Sequence, residues 1–202
     1  KDFLPSFAGY LLEQEVVNLS RALNPDQPLI VIIGGSKIGT KVNFLRNLGK
    51  KAHKILLGGA LANNVFAAQG YNIGKSLVDE DSIALSGELM DELKDKLILP
   101  SDVIVKSQGH PAVRPVNKVE DDDIILDIGP ATIQEFSRII KLAKTLVWNG
   151  PMGKYEELGG GATKKILDLV AKSKAETIIG GGDTVEIISE AKMEDKFSFV
   201  ST

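Results

Sequence analysis

The chain has 202 residues, 43% hydrophobic and 25% charged, with 24 Lys and Arg against 27 Asp and Glu for a formal charge of -3. That balance suits one well-buried globular core and provides no basic footprint for nucleic acid. Aromatics at 5% leave little for base stacking, the absence of Cys excludes disulfides, thiolate zinc sites and Cys nucleophiles, and two histidines, His53 and His110, cannot build a multi-His metal cluster.

The chain opens on Lys1 with a helical pattern already under way, which we read as a piece of a longer protein. Phe7, Leu11, Leu12, Val16, Leu19 and Leu23 form an apolar stripe. It predicts a helix over residues 5–24 that connects to a missing neighbour. Asn24, Pro25 and Pro28 punctuate its end. No apolar run approaches the roughly 20 residues of a membrane helix, and no signal segment is present. A cytoplasmic setting without a membrane partner is therefore expected.

Short runs of Ile, Val and Leu follow at 29–33, 55–57, 124–128, 145–148 and 177–179. Each leads into a glycine corner: Gly34-Gly35, Gly58-Gly59, Gly129-Pro130, Asn149-Gly150-Pro151 and Gly180-Gly181-Gly182. Runs without polar alternation predict strands buried on both faces of a parallel sheet. Residues 103–105 and 197–200 predict two more strands. Helical stripes stand between them, at Ile83, Leu85, Leu89 and Leu93, at Ile133, Phe136, Ile140 and Leu142, and at Ile166, Leu167 and Val170. The fold class expected is α/β: a doubly wound, mostly parallel sheet with helices on both faces, a Rossmann-like three-layer domain over residues 1–202. Residues 106–123 break the rhythm and predict a loop or small β excursion. Their acidic run at 120–123 reads as a solvated turn.

Five glycine corners on one rim of a parallel sheet point to a ligand at the carboxyl ends of the strands. Glycine lets backbone approach a guest, and helix N-termini favour phosphate. Neither G-x-G-x-x-G nor G-x-x-x-x-G-K-[ST] occurs, so the dinucleotide fingerprint and the P-loop are both absent. Lys37 and Lys41 stand four apart just past the first run. On a helix they would share one face and grip one polyphosphate. Asp183, after three glycines, reads either as an N-cap or as a magnesium ligand, since Mg²⁺ takes one or two carboxylates plus substrate phosphates. Thr184 could donate to a phosphate.

The segments GGSKIGTK at 34–41, LLGGALANNVFAAQGYNIGKS at 56–76, LDIGP at 126–130, VWNGPMGKYE at 147–156 and IIGGGDT at 178–184 resemble the C-terminal, nucleotide-binding half of the phosphoglycerate kinase family. The resemblance spans nearly the whole chain. It implies reversible phosphoryl transfer between 1,3-bisphosphoglycerate and ADP, giving 3-phosphoglycerate and ATP with Mg²⁺, in a monomeric glycolytic enzyme of two lobes closed by a hinge. Carried over by position, Lys37 resembles the lysine that stabilises the phosphoryl group in flight, and Gly182 belongs to the catalytic turn. Lys41 resembles the holder of the nucleotide's phosphates. Gly34, Gly35, Gly58 and Gly59 would line the adenine slot, with Leu126 on the base and Asn149 and Pro151 beside the nucleotide. Glu156 would accept from the ribose hydroxyls. Asp183 and Thr184 would place the metal and a phosphate, with Asp183 the metal ligand.

Three departures stand out. Lys154 occupies a position where the family usually has Val, residues 58–62 are a looser glycine-methionine stretch, and the chain ends at Thr202 before a further glycine-rich loop. The lobe that would hold 3-phosphoglycerate or 1,3-bisphosphoglycerate is absent. The expectation is that this chain binds ADP or ATP without turning over. A stand-alone, non-catalytic purine-nucleotide-binding module and a nicotinamide-dependent oxidoreductase are the alternatives.

Overall fold

The computed structural model describes residues 24–39, 41–157 and 161–201. The helix expected over 5–24 lies outside these residues apart from Asn24.

Strand β1 (Leu29–Ile33) is buried at every position, as its unbroken apolar run requires. It sits inside a six-stranded sheet. β2 (Lys54–Leu57) and then β3 (Leu97–Ile98) extend it on one side; β7 (Thr145–Asn149), β8 (Glu176–Gly180) and β9 (Phe199–Val200) extend it on the other. All five pairings are parallel.

Alternate residues of β1 feed two cores. Val31 and Ile33 pack with α1 (Val42–Lys51), α2 (Gly59–Ala68) and α3 (Ile83–Leu93) through Leu45, Leu61, Phe66 and Leu89. Ile30 and Ile32 face α4 (Pro130–Ile140), α5 (Gly161–Ala171) and α6 (Gly182–Glu190) through Phe136, Ile166, Leu167 and Ile188. Helices on both faces of a parallel sheet make the doubly wound three-layer fold, as expected. Among the described residues, no helix is long and apolar enough to cross a membrane.

One strand was misplaced. β6 (Ile124–Ile128) is not in the parallel sheet. It pairs antiparallel with β4 (Asp102–Ser107), which pairs antiparallel with β5 (His110–Pro115), in a separate three-stranded sheet. Its apolar run has the same composition as a central parallel strand because it too is covered on both sides. Leu126 and Ile128 are buried, while Ile124 and Ile125 are half-buried in the wall of a cleft. Four glycine corners, not five, therefore share the rim of the parallel sheet.

The excursion at 106–123 holds the end of β4, the hairpin turn and β5. The acidic run after it is more than a solvated turn. Asp121 accepts from Asn72 Nδ2 at 2.7 Å, Asp122 pairs with Lys75 at 2.6 Å, and buried Asp123 pairs with Arg114 at 3.1 Å. It clasps the hairpin to residues 72–75, one end of the cleft. Burial pushes the Asp123 carboxyl upward, but the Glu120 amide, Ser107 and Arg114 outweigh it and hold the group below its ordinary value.

Candidate functional site

The strand order reverses direction between β1 and β7, where a doubly wound sheet opens a crevice at its carboxyl edge. A cleft of about 690 Å³ lies there. Gly35, Gly59, Leu126, Pro151, Glu156 and Asp183 line it. These six come from five separate segments of the sequence expected to form one site.

At the β1 and β2 corners the glycine amides are taken up within the fold and bind the corners together. Gly34 N–H donates to Asn149 O and Gly35 N–H to Pro151 O, both at 2.9 Å. Gly58 N–H donates to Ile33 O at 2.9 Å and Gly59 N–H to Met152 O at 2.7 Å. A Cβ on Gly34 would stand 1.9 Å from Pro151 O. At Gly59, with φ +63°, a Cβ would meet Gly35 N at 2.7 Å. Glycine is required here so that backbone can approach backbone. Gly34 and Gly58 are buried behind the wall, while Gly35 and Gly59 reach the cleft.

Lys37 and Lys41 do not share a helical face. Residues 34–39 are loop, Lys41 is the N-cap of α1, and the first helical residue is Val42. Lys41 is half-buried and Nζ donates to Gly34 O at 2.5 Å. Burial lowers its pKa from the ordinary lysine value, and the Asp183 carboxylate pulls the other way. Lys37 is exposed, in a groove shared with Ser36, Gly39 and Leu77 that adjoins the cleft.

At the far end β8 runs into α6. Gly181 (φ +94°) is the N-cap and Gly182 the first helical residue, where a Cβ would meet only open space. Asp183 is therefore not the N-cap; it stands exposed in the first turn, on the cleft wall. Thr184 is fully buried and its Oγ1 accepts the Gly150 N–H at 2.8 Å. Its hydroxyl fixes the β7 corner to α6 and does not stand on the cleft wall. Asn149 is half-buried and packs against Gly181.

Several wall residues went unread in the sequence. Asn63 and Phe66 of α2 line the cleft with Gly59. Their four- and three-residue spacing within an Ala-rich stretch was the available signal. Tyr155 also lines the cleft and donates to Glu190 Oε2 at 2.7 Å, joining the β7–α5 loop to α6. Asp127, buried in the wall, accepts the Ala162 N–H at 2.9 Å and so caps α5. Burial raises its pKa, partly offset by its backbone donors and Lys165. Lys154 is exposed, with Nζ 2.5 Å from Glu157 Oε1, and its amide donates to Leu126 O at 2.6 Å.

Among the described residues no three His, Asp or Glu gather as a metal cage. A lone Asp183 beside a helix N-terminus fits a cation that brings most of its oxygens from phosphates and water, as Mg²⁺ does.

Comparison with known proteins agrees with this fold. The family model described as phosphoglycerate kinase matches residues 1–202. The phosphoglycerate kinase of Herpetosiphon aurantiacus is 43% identical over 209 residues, covering 99% of this chain and 53% of that protein. That of Pseudothermotoga lettingae is 39% identical over 211 residues, covering 100% and 53%. The solved structure from Coxiella burnetii superposes with a TM-score of 0.91 at 39% identity, covering 96% of this chain and 52% of that one. The structure from Pyrococcus horikoshii OT3 gives 0.83 at 28%, covering 96% and 51%. The chain spans about half the length of the curated relatives it matches.

Proposed function

The chain belongs to the phosphoglycerate kinase family, and from that premise we propose that its cleft binds MgADP or MgATP. The observation that carries this reading is the convergence at the switch point of an uncapped helix start, a carboxylate and a lysine beside an apolar shelf. The base would lie against Leu126, with Gly35 and Gly59 at its edge. Glu156 would take the ribose hydroxyls, and the phosphates would run toward Gly182 at the start of α6. There the first helical amides have no intrahelical acceptor, and the helix dipole favours an anion.

In the full-length protein, the proposed reaction is phosphoryl transfer between 1,3-bisphosphoglycerate and ADP, yielding 3-phosphoglycerate and ATP. Such transfer is won mainly by positioning and charge stabilisation. Mg²⁺ would neutralise phosphate charge when bound, with Asp183 as its protein ligand. Lys41, half-buried with its Nζ on Gly34 O, would hold the nucleotide's phosphates. Lys37, exposed in the adjoining groove, offsets the charge spread over the group in flight. Removing one such donor costs roughly 3 kcal/mol in the transition state. The acyl phosphate would arrive from a second lobe that also excludes water.

In the full-length protein, Lys37→Ala should lower turnover about a hundredfold or more while leaving nucleotide affinity nearly unchanged. Near-normal turnover in that variant would remove Lys37 from the mechanism. The 202-residue chain should bind MgADP and form no ATP from 1,3-bisphosphoglycerate. ATP formation by it would contradict the need for a second lobe.

A further inference from the structure

The cleft and its adjoining groove lie at the carboxyl edge of the parallel sheet. At the opposite edge stands a patch that the site does not use. Helix α4 ends at Ile140 and returns to β7 through residues 141–144; α5 ends at Ala171 and returns to β8 through residues 172–175. The two turns are neighbours, because Thr145 of β7 pairs with Glu176 of β8 and the Glu176 N–H donates to Lys144 O at 2.8 Å.

Five exposed cations stand on these segments: Arg138, Lys141, Lys144, Lys172 and Lys174. No acid occurs in 138–144 or 171–175. Among the described residues, none of the five side chains makes a hydrogen bond or an ion pair. Lysines at the same edge beside β2 and β3 provide the contrast. Lys54 Nζ donates to Asp95 O and Lys96 Nζ to Gly49 O, both at 2.7 Å, so those two serve the fold. Leu142, between Lys141 and Lys144, is 60% exposed. Charge is segregated on a chain of net charge -3, since Glu156, Asp183 and Glu186 line the cleft at the other edge.

We propose that this basic edge docks on an anionic lipid surface. The five cations meet the headgroups, Leu142 enters the headgroup layer, and the cleft faces away into solution. Contact of this kind needs no spanning segment. A negatively charged leaflet raises affinity about fivefold for each Lys or Arg near it, and Leu142 adds apolar area removed from water. Protein interfaces favour Arg and deplete Lys. Here four of the five cations are Lys, compact charges on flexible stems that suit a surface without fixed geometry. Neither segment carries an aromatic ring on which a nucleic-acid base could stack.

The test is sedimentation of the chain with vesicles of phosphatidylcholine alone, or with about one-third phosphatidylserine, at low and high salt. Affinity should be at least about tenfold higher on the anionic vesicles and fall toward the neutral value at high salt. Replacing Lys141→Gln and Lys174→Gln together should lower it about twenty-fivefold, and Leu142→Ser about threefold. Urea midpoints of both variants should match the unaltered chain, because the altered side chains are exposed and unbonded. The comparison of vesicles and salts needs no variant. Equal sedimentation with the two vesicles would overturn the proposal. So would binding to a DNA duplex or to polyglutamate that is as strong as to anionic vesicles and unmoved by Leu142→Ser. None of these outcomes depends on whether the cleft takes a nucleotide.

Discussion

Helices α4 and α6 each begin at a glycine just after a strand, yet they treat their first amides in opposite ways. At α4 the buried carboxylate of Asp102 reaches from β4 and accepts from Ala131 N–H at 3.0 Å, Thr132 N–H at 2.8 Å and Thr132 Oγ1 at 2.7 Å. At α6 the N-cap Gly181 brings no side chain, and Asp183 stands exposed on the cleft wall. One acid is consumed within the fold; the other is left exposed on the cleft wall, where we propose that it meets the metal. A carboxylate near a helix start thus serves architecture where it is buried and bonded to amides, and stays available where it stands exposed beside them in a cleft.

That contrast can be tested in order of expected size. Gly34→Ala strikes the join between β1 and β7. Its Cβ would stand 1.9 Å from Pro151 O, forcing the β1 and β7 corners apart. It should cost about 3 kcal/mol or more in urea unfolding. Asp102→Ala should come next, at about 2–3 kcal/mol, because two helix amides lose their acceptor. MgADP affinity should stay within about threefold, since the loss is in folding and not in the site. Asp183→Asn should reverse the pattern, with stability nearly unchanged and MgADP affinity down about tenfold or more. If Asp183→Asn destabilises the chain as Asp102→Ala does, the two helix starts are not different in kind.

Asp127 refines the comparison through pH. Burial raises its pKa above the ordinary carboxylate value. In the window between those two values the folded chain holds a proton that the unfolded chain releases. Stability from this group is thus full below the ordinary value and falls as pH rises through the raised one. Urea midpoints measured across that window should lose this downward slope in Asp127→Asn. The smallest effect belongs to Lys154→Val. The Lys154–Glu157 pair is exposed, and such pairs hold little. MgADP affinity should change by less than about threefold.

The parallel strands were legible because burial on both faces leaves an unbroken apolar run, as at 29–33 and 145–148. The same signal misplaced β6. A run such as Ile124 to Ile128 reports that a strand is covered but not which strand it pairs with; pairing is decided by distant residues. The site was legible as a set of positions more than as a set of roles. Asp183, Glu156 and Leu126 meet in one cleft although about 30 residues separate each from the next. Thr184 Oγ1 accepts the Gly150 N–H and the Asn149 carbonyl accepts the Gly34 N–H, so both also join the corners, a part not foreseen for them. Nothing local in the sequence shows that the Thr184 hydroxyl takes up the Gly150 amide.

A crystal structure of the chain with MgADP would test the central claim most directly. The account predicts diphosphate at the α6 N-terminus, the metal on Asp183, and the base between Leu126 and the Gly59–Phe66 face of α2. Nucleotide bound elsewhere, or in this cleft with its phosphates at the Phe66 end, would contradict it.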